Sequence, residues 1–267
     1  MKKSISMVLM GMAALCACTK QVKFNPENVT LYVGDSIYVS VENAVATPKL
    51  LSENTFVATM GETSGWIKAR HAGETNVYCD YDANSTAAEN VAKCKVTVKP
   101  RHTYYADPIT DWSLTKDELI AKLGEPTMQR DVDGDTFLQY GKVTMKPTTG
   151  QMIFEDNYIT LYYLVDGALE EIFVAHSAMT LAEAKEFLDE RYTLSPDWEE
   201  GDDLEYFNAD NEDDATMYID VEPDSEGMTG NTEALLVEYY PVDPMAIDSA
   251  RPVARKVGRA LDIMLGK

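Results

Sequence analysis

The chain has 267 residues, and its 45 Asp and Glu against 23 Lys and Arg give a formal net charge of −22. So acidic a surface repels nucleic-acid phosphates and anionic lipid headgroups, which argues against a nucleic-acid partner. At about 100–200 residues per domain, this length predicts two domains.

The N-terminus has the pattern of a secretion signal. Lys2 and Lys3 precede an apolar run over residues 5–15 that is too short to span a bilayer, and the run closes on Leu15-Cys16-Ala17-Cys18. This stretch resembles a bacterial lipoprotein signal with its lipobox. The resemblance implies a signal peptide over 1–17, acylation of Cys18 and a lipidated tether over 18–22. An ordinary signal peptide that happens to end at a cysteine is the alternative.

Acyl chains on Cys18 would add about 0.8 kcal/mol of membrane affinity per buried CH₂. Beyond this N-terminal run, the sequence contains no apolar run of 18 or more residues, the length that a membrane-spanning helix needs. We therefore expect the membrane to be bound through Cys18 alone. The expected location is the bacterial cell envelope, at the outer membrane or the cell surface.

Residues 23–99 show short runs with period-2 alternation, separated by turn residues such as Gly34-Asp35 and Gly73-Glu74. This pattern predicts an all-β sandwich. The predicted strands cover 29–32, 36–41, 56–59, 66–69, 75–81 and 91–98.

The motifs at 33–36 (Val-Gly-Asp-Ser), 65–69 (Gly-Trp-Ile-Lys-Ala) and 72–77 (Ala-Gly-Glu-Thr-Asn-Val) resemble the bacterial Ig-like group 2 domain. Residues 80–93 are longer and more polar than that pattern needs. The resemblance implies an Ig-like surface spacer or adhesive module, and it supplies no catalytic residues.

Two cysteines remain after the predicted cleavage, Cys79 and Cys94. If the last two strands pair with Val77 opposite Val96, the two sulfur atoms lie directly opposite each other. A disulfide would then fit, and closing this loop would contribute about 3 kcal/mol. Two reduced, buried cysteines are the alternative.

Prolines at 100 and 108 predict a linker over 100–110, followed by a second module over 111–267. Capping boxes recur at Thr115–Glu118 and Thr180–Glu183, and each predicts the start of a helix. Three strand-like runs follow each helix: 137–143, 158–165 and 169–175, then 204–207, 216–221 and 234–240.

The second module is thus predicted to be an α+β domain built from two α-β-β-β repeats. The repeats would form one antiparallel sheet with both helices on one face. Residues 119–126 are weakly similar to the helix end of small outer-membrane assembly-type lipoproteins and to beta-lactamase-inhibitor-protein-like tandem repeats. That similarity implies a topology and no function.

Residues 192–250 contain 18 Asp or Glu and no Lys or Arg. Oxygen-rich stretches at 210–214 and 131–135 could hold Ca²⁺, although both depart from the EF-hand pattern. Solvated hairpin loops are the preferred interpretation, so no metal or cofactor is expected.

Residues 248–267 predict a basic helix, with Arg251, Arg255 and Arg259 four residues apart and apolar residues at helical spacing. Such a helix could lie on anionic lipid or bind a partner. Docking onto the acidic body of the same chain is the preferred interpretation.

The sequence offers no constellation typical of catalysis: its three histidines lack metal-ligand spacing, and both G-x-S-x-G and a phosphate-binding glycine loop are absent. We expect no enzyme activity and no catalytic residues. Tyrosine pairs at 104–105, 162–163 and 239–240 would place one ring on each face of a strand. Those rings either stack on sugars or peptides or pack within the sheet.

These observations predict a lipid-anchored binding protein whose Ig-like spacer presents the α+β domain to a protein or glycan partner. The alternative is a structural or assembly lipoprotein of an envelope complex.

Overall fold

The computed structural model describes residues 22–44, 47–80, 92–132, 134–146, 148, 152–196, 203–223 and 234–242. The predicted signal peptide, the predicted lipidation site Cys18 and the predicted basic helix lie outside these ranges. Within them the protein is β-rich, with several antiparallel sheets and two α-helices. Neither helix in these ranges has the length and apolar character that a membrane span requires.

The described part of the first module contains strands in three sheets. They are β1 Lys23–Asn25, β2 Asn28–Tyr32, β3 Ser36–Tyr38, β4 Ser40–Glu42, β5 Lys49–Ser52, β6 Ala58–Met60, β7 Trp66–Ala69, β8 Gly73–Asp80 and β9 Lys93–Lys99. One sheet has the order β2-β9-β8-β5, a second has the order β3-β7-β6, and β1 pairs with β4. β2 runs parallel to β9, and the other pairs are antiparallel.

One hydrophobic cluster joins these sheets. It contains Val77 and Val96 from the four-stranded sheet and Ile67 from the three-stranded sheet, all fully buried. Along β9 buried and exposed residues alternate, as expected where one face of a strand packs on a core. Truncating a buried side chain such as Ile67 to Ala would cost about 2–5 kcal/mol of stability.

The predicted strand over 36–41 is interrupted at Val39, whose N–H donates to the Gly65 carbonyl at 2.9 Å. Its two halves, β3 and β4, belong to different sheets. Gly65 has a φ of +70°, and a Cβ there would lie 2.5 Å from the Val39 carbonyl oxygen. This close approach explains why a glycine precedes Trp66. β1 and β5 were not predicted.

The predicted pairing of β8 with β9 is wrong by two residues. Val77 lies opposite Cys94, and Val96 lies opposite Thr75. Cys79 instead donates its N–H to the Ala92 carbonyl at 3.3 Å. Both cysteines are buried and free, as diagonal neighbours on one face of the sheet. Diagonal neighbours are farther apart than the Cβ spacing of a disulfide, so the register behind the predicted bond does not hold.

The second module contains α1 and α2 and a large sheet. Its elements are α1 Lys116–Leu123, β10 Met128–Val132, β11 Asp135–Tyr140, β12 Val143–Met145, β13 Met152–Phe154, β14 Tyr158–Val165, β15 Ala168–His176, α2 Leu181–Asp189, β16 Thr193–Leu194, β17 Leu204–Phe207, β18 Met217–Pro223 and β19 Leu235–Pro241. A short 3₁₀ helix covers Glu212–Asp214.

The sheet has eight antiparallel strands in the order β10-β11-β14-β15-β19-β18-β17-β16. Four strands of this sheet follow each helix along the chain, and the two sets meet where β15 pairs with β19. The sequence predicted three strands after each helix, because the edge strands β10 and β16 are polar or very short. β12 and β13 form a separate hairpin.

Both predicted capping boxes are confirmed. The Thr115 hydroxyl accepts the Glu118 N–H at 3.4 Å, and the Glu118 carboxylate accepts the Thr115 N–H at 2.9 Å. At the start of α2 the corresponding distances between Thr180 and Glu183 are 3.2 and 2.8 Å. These reciprocal bonds satisfy N–H groups that would otherwise lack partners at each helix start.

Both helices pack against the same face of the large sheet. Leu119 of α1 and Phe187 of α2 join one buried cluster with Tyr162 and Tyr239 from the central strands. The hairpin of β12 and β13 packs on the opposite face, where its buried Phe154 joins a second cluster. The two helices therefore cover one face of the sheet. Of the described helices and strands, only the hairpin of β12 and β13 covers the other face.

The segment predicted as a linker is packed against the second module. Tyr105 is 2 % exposed, and its hydroxyl lies 2.6 Å from that of Tyr239. The modules also touch directly, because the Ala72 N–H donates to the Glu190 carbonyl at 2.7 Å, and Arg70 pairs with Asp210 at 2.5 Å. Tyr105 of the predicted linker and the first module are therefore both in contact with the second module.

Candidate functional site

A tyrosine-lined cleft, here called the tyrosine cleft, lies where the segment after Tyr105 crosses the end of the large sheet. Its walls include Tyr140, Tyr158, Tyr162, Leu123, Asp107 and Asp156. The tyrosines come from β11 and β14, Leu123 ends α1, and Asp156 lies in the turn before β14. The cleft thus combines three aromatic rings with two carboxyl groups.

Hydrogen bonds hold the three rings in place. The Tyr158 hydroxyl accepts the Ala106 N–H at 3.3 Å, and the Tyr162 hydroxyl accepts the Ile109 N–H at 3.0 Å. The Tyr140 hydroxyl donates to the Gly124 carbonyl at 3.1 Å, just beyond the end of α1. The side chains that shape the cleft therefore also attach the neighbouring backbone to the sheet, which makes the cleft pre-formed.

Asp107 is held by Arg191, whose Nε lies 2.6 Å from the Asp107 carboxylate. The Arg191 side chain is buried: its guanidinium lies over the Phe187 ring at 3.6 Å and donates to the Phe187 carbonyl at 2.8 Å. Because the Asp107 side chain is 55 % exposed, its second oxygen can accept a hydrogen bond from a bound group. Burial raises the pKa of Tyr162 and of Tyr140, so both hydroxyls stay protonated at neutral pH.

The cleft has a volume of about 180 Å³. Pockets for whole small molecules start at about 300 Å³, so this one suits a single ring or side chain. A sugar can place its C–H face on an aromatic ring and donate hydroxyls to carboxylates. A basic side chain can do the same through cation–π and ionic contacts.

A second polar region lies on the sheet face opposite the helices. Glu205, Asp220 and Glu238 form a row across β17, β18 and β19, since Glu205 is paired with Asp220 and Asp220 with Glu238. Glu222 lies two residues along β18, and Glu171 lies on β15. We call these five residues the acidic face.

Burial, together with the negative charges of Glu171, Asp220 and Glu222, raises the pKa of Glu238 to about 9. Glu238 is therefore protonated at neutral pH and shares a hydrogen bond with Glu171. The Tyr240 hydroxyl donates to Asp220 at 2.9 Å. Such neighbouring carboxyl groups cannot all ionise at once.

Cys79 and Cys94 lie in the core of the first module, and Cys18 is outside the described residues. Of the tyrosine pairs, Tyr162 and Tyr239 are buried on the helix side, whereas Tyr163 and Tyr240 are half-buried on the other face. This confirms one ring on each face of a strand for these two pairs, but not for Tyr104 and Tyr105, which lie between β9 and α1 and outside any strand.

The oxygen-rich stretch at 210–214 contains the 3₁₀ helix, with Asn211 accepting the Asp214 N–H at 3.2 Å. Asp210 is used by the first module, since it also accepts a hydrogen bond from the Thr55 hydroxyl at 3.2 Å. At the other stretch Asp131 accepts the Thr136 hydroxyl at 2.6 Å. Within the described ranges no group of three acidic, histidine or cysteine side chains is arranged to hold a metal ion.

The tyrosine cleft was not predicted. The sequence signal that could have found it is the recurrence of tyrosines in the predicted strands 137–143 and 158–165, but only the folded chain brings Tyr140 of β11 beside Tyr158 of β14.

No family model matches the chain, and no curated protein matches it. Two distant solved structures are similar to part of it. A cysteine-rich secretory protein from Staphylococcus aureus subsp. aureus Mu50 has 12% identity and a TM-score of 0.27, over 62% of this chain and 64% of that one. An extracellular protein containing an SCP domain from Bacillus anthracis str. Ames has 11% identity and a TM-score of 0.26, over 58% and 54%. The chain spans less than two thirds of each, and likenesses this weak carry no argument about fold or function.

Proposed function

We propose that this chain is a lipid-anchored binding protein of the bacterial cell envelope. Acyl chains on Cys18 hold it at the membrane, the first module acts as an Ig-like spacer, and the second module engages a protein or glycan partner. The resemblance of residues 15–18 to a lipobox supports the anchor, and the acidity of the chain disfavours an anionic partner.

Two features of the fold support the division of labour. The sheets of the first module share one core, as two layers of an Ig-like sandwich do. In the second module each helix is followed by four strands of one sheet, as expected for a tandem-repeat α+β domain. Contacts through Glu190 and Asp210 keep the spacer and the binding module in a fixed orientation.

The tyrosine cleft is the observation that carries the binding function. Its rings are fixed by hydrogen bonds, Leu123 at its rim is 36 % exposed, and its carboxyl groups can accept hydrogen bonds. A rigid aromatic surface loses little conformational entropy when it binds. A site of this size fits the end of a glycan or one side chain of a protein.

The test uses the mature chain with Cys18→Ala, which keeps it in solution. It is applied to a glycan array and, in parallel, to detergent-solubilised envelope as bait. Specific binding to glycans or to a separable protein ligand supports the proposal. Recovery in a stoichiometric envelope complex, with the cleft covered by a fixed subunit, would instead favour an assembly lipoprotein. Absence of binding in both would refute the proposal.

A further inference from the structure

The charged side chains that line the tyrosine cleft are both acidic. They belong to Asp107 and Asp156, and no Lys, Arg or His is among the described residues that line the cleft. The buried Arg191 pairs with Asp107 and largely offsets its charge. The exposed carboxylate of Asp156, by contrast, forms no hydrogen bond or ion pair with any described residue. Asp156 therefore presents a full negative charge to a ligand in the cleft.

Charges next to the cleft do not cancel this one. Lys142 follows the cleft residue Gly141 along the chain, but its Nζ lies 3.5 Å from the carboxylate of Glu155. The negative charge of Glu125 adds to the effect of burial in raising the pKa of Tyr140. A positive charge beside the Tyr140 ring is therefore favoured on electrostatic grounds.

Two of the three tyrosine rings keep some surface for a ligand. Tyr162 is 2 % exposed, whereas Tyr140 and Tyr158 are half-buried. The Tyr140 ring is perpendicular to that of Tyr162 with centroids 5.7 Å apart, and Tyr158 stacks on His176 at 6.1 Å. These contacts fix the ring planes before a ligand arrives. The face of an aromatic ring is electronegative and attracts a cation, more strongly where water is excluded.

The lining suits a cation better than a sugar. A sugar hydroxyl both donates and accepts hydrogen bonds, so a sugar site supplies donors as well as acceptors. No Asn or Gln is among the described lining residues either, and the hydroxyls of all three tyrosines already bond to backbone groups. An ionised carboxylate only accepts. A ligand that only donates and carries a positive charge therefore fits the cleft best.

Arginine has this chemistry in the most suitable form. Its guanidinium is planar, binds both oxygens of a carboxylate at once and stacks on aromatic rings, whereas the ammonium of lysine is a more strongly hydrated point charge. We infer that the tyrosine cleft binds one arginine side chain of a protein partner, with the guanidinium paired to Asp156 and packed on Tyr140 and Tyr158. This inference rests on the proposed function and specifies the ligand of the same site.

A titration followed by NMR tests the inference on the mature chain with Cys18→Ala. The probe is Nα-acetylarginine methylamide. The matched neutral probe is the citrulline analogue, which has a similar shape and no charge. We expect the arginine probe to shift the amide resonances of Leu123 and Gly141 in a saturable way. The citrulline probe should bind about tenfold more weakly, because it loses both the ionic and the cation–π attraction.

A charge-neutralising variant locates the contact at Asp156. Asp156→Asn should weaken binding of the arginine probe by about threefold or more, as expected for the loss of a solvent-accessible ion pair. The variant should keep the fold, because the Asp156 carboxylate bonds to no other described residue. Asp213→Asn is the matched control, since it removes the same charge from the exposed 3₁₀ helix outside the cleft. It should bind the probe as the wild-type residue does.

Three results would overturn the inference: equal affinity for the arginine and citrulline probes, tighter binding of the corresponding lysine probe, or unchanged affinity in Asp156→Asn. A cleft that binds N-acetylglucosamine and ignores the arginine probe would also overturn it, yet would leave the proposed binding function standing. The proposed function fails separately, if a captured partner binds without using the cleft at all.

Discussion

The carboxylate of Glu190 accepts the backbone N–H of Arg101 at 2.7 Å, although the two residues are 89 positions apart. The same oxygen accepts the His102 N–H at 2.9 Å. Glu190 directly follows α2 and is buried. The segment leaving the first module is therefore tied to the helix end of the second.

We expect Glu190→Ala to destabilise the protein by about 2–4 kcal/mol, because it leaves two N–H groups without their acceptor in a partly buried place. Denaturant unfolding of the mature protein measures this change. Glu186→Ala, one turn earlier and exposed, should cost less than about 1 kcal/mol. Equal effects of the two substitutions would show that Glu190 does not fix the junction.

The register of β8 and β9 predicts that Cys79 and Cys94 are two free, unreactive thiols. Burial raises the pKa of each to about 11, so little thiolate exists at neutral pH. Both should resist alkylation in the folded protein and react after denaturation without a reducing agent. A non-reduced digest that contains a peptide with Cys79 disulfide-bonded to Cys94 would contradict this register. Such a bond requires β8 and β9 to shift toward the pairing predicted from the sequence, with Val77 opposite Val96.

Local and non-local features differ in how well the sequence predicted them. The capping boxes at Thr115 and Thr180 depend on residues three apart, and both are present. The pairing of Cys79 with Cys94 depends on how two strands align, and alternation alone allows a shift of two residues with the same faces buried. Strands such as β10 and β16 were missed because they lie at sheet edges, where few side chains need to be apolar.

The tyrosine cleft illustrates the same limit. The tyrosine pairs indicated sheet packing or ligand stacking, and the Tyr162 ring is buried in the core and also lines the cleft. No sequence pattern predicts that the N–H groups of Ala106 and Ile109 bind tyrosine hydroxyls more than 50 residues away.

Glu238 makes stability depend on pH. Its pKa is raised by burial from 4.5 to about 9, so its contribution is fully present below pH 4.5 and is lost as the pH rises toward 9. The groups that face it are Glu171, Asp220 and Glu222. Glu238→Gln keeps the neutral shape and should stabilise the protein at pH 8 by on the order of 2 kcal/mol, with little effect at pH 4.

Unfolding free energies between pH 4 and pH 9 give the comparison for Glu238→Gln. The exposed Glu125→Gln should leave the pH profile of the wild type unchanged. A Glu238→Gln protein that follows the wild-type profile throughout would mean that Glu238 is ionised in the folded state.

Cys18→Ala should release the protein from membranes into the soluble fraction, since acyl chains at this residue are the proposed attachment. Fractionation of cells after a high-salt wash measures this. A Cys16→Ala protein is the control, because Cys16 would be removed with the signal peptide. A Cys18→Ala protein that still sediments with membranes would contradict the anchor.

The most direct test of the binding function compares two exposed apolar side chains in partner binding. Leu123 lines the tyrosine cleft, whereas Ile153, 43 % exposed, lies on β13 outside it. With the partner captured by the soluble mature chain, titration calorimetry should show that Leu123→Arg weakens binding by about tenfold or more, or about 1.4 kcal/mol. Ile153→Arg should bind as the wild type does. Equal affinity of both variants for the partner would contradict the account.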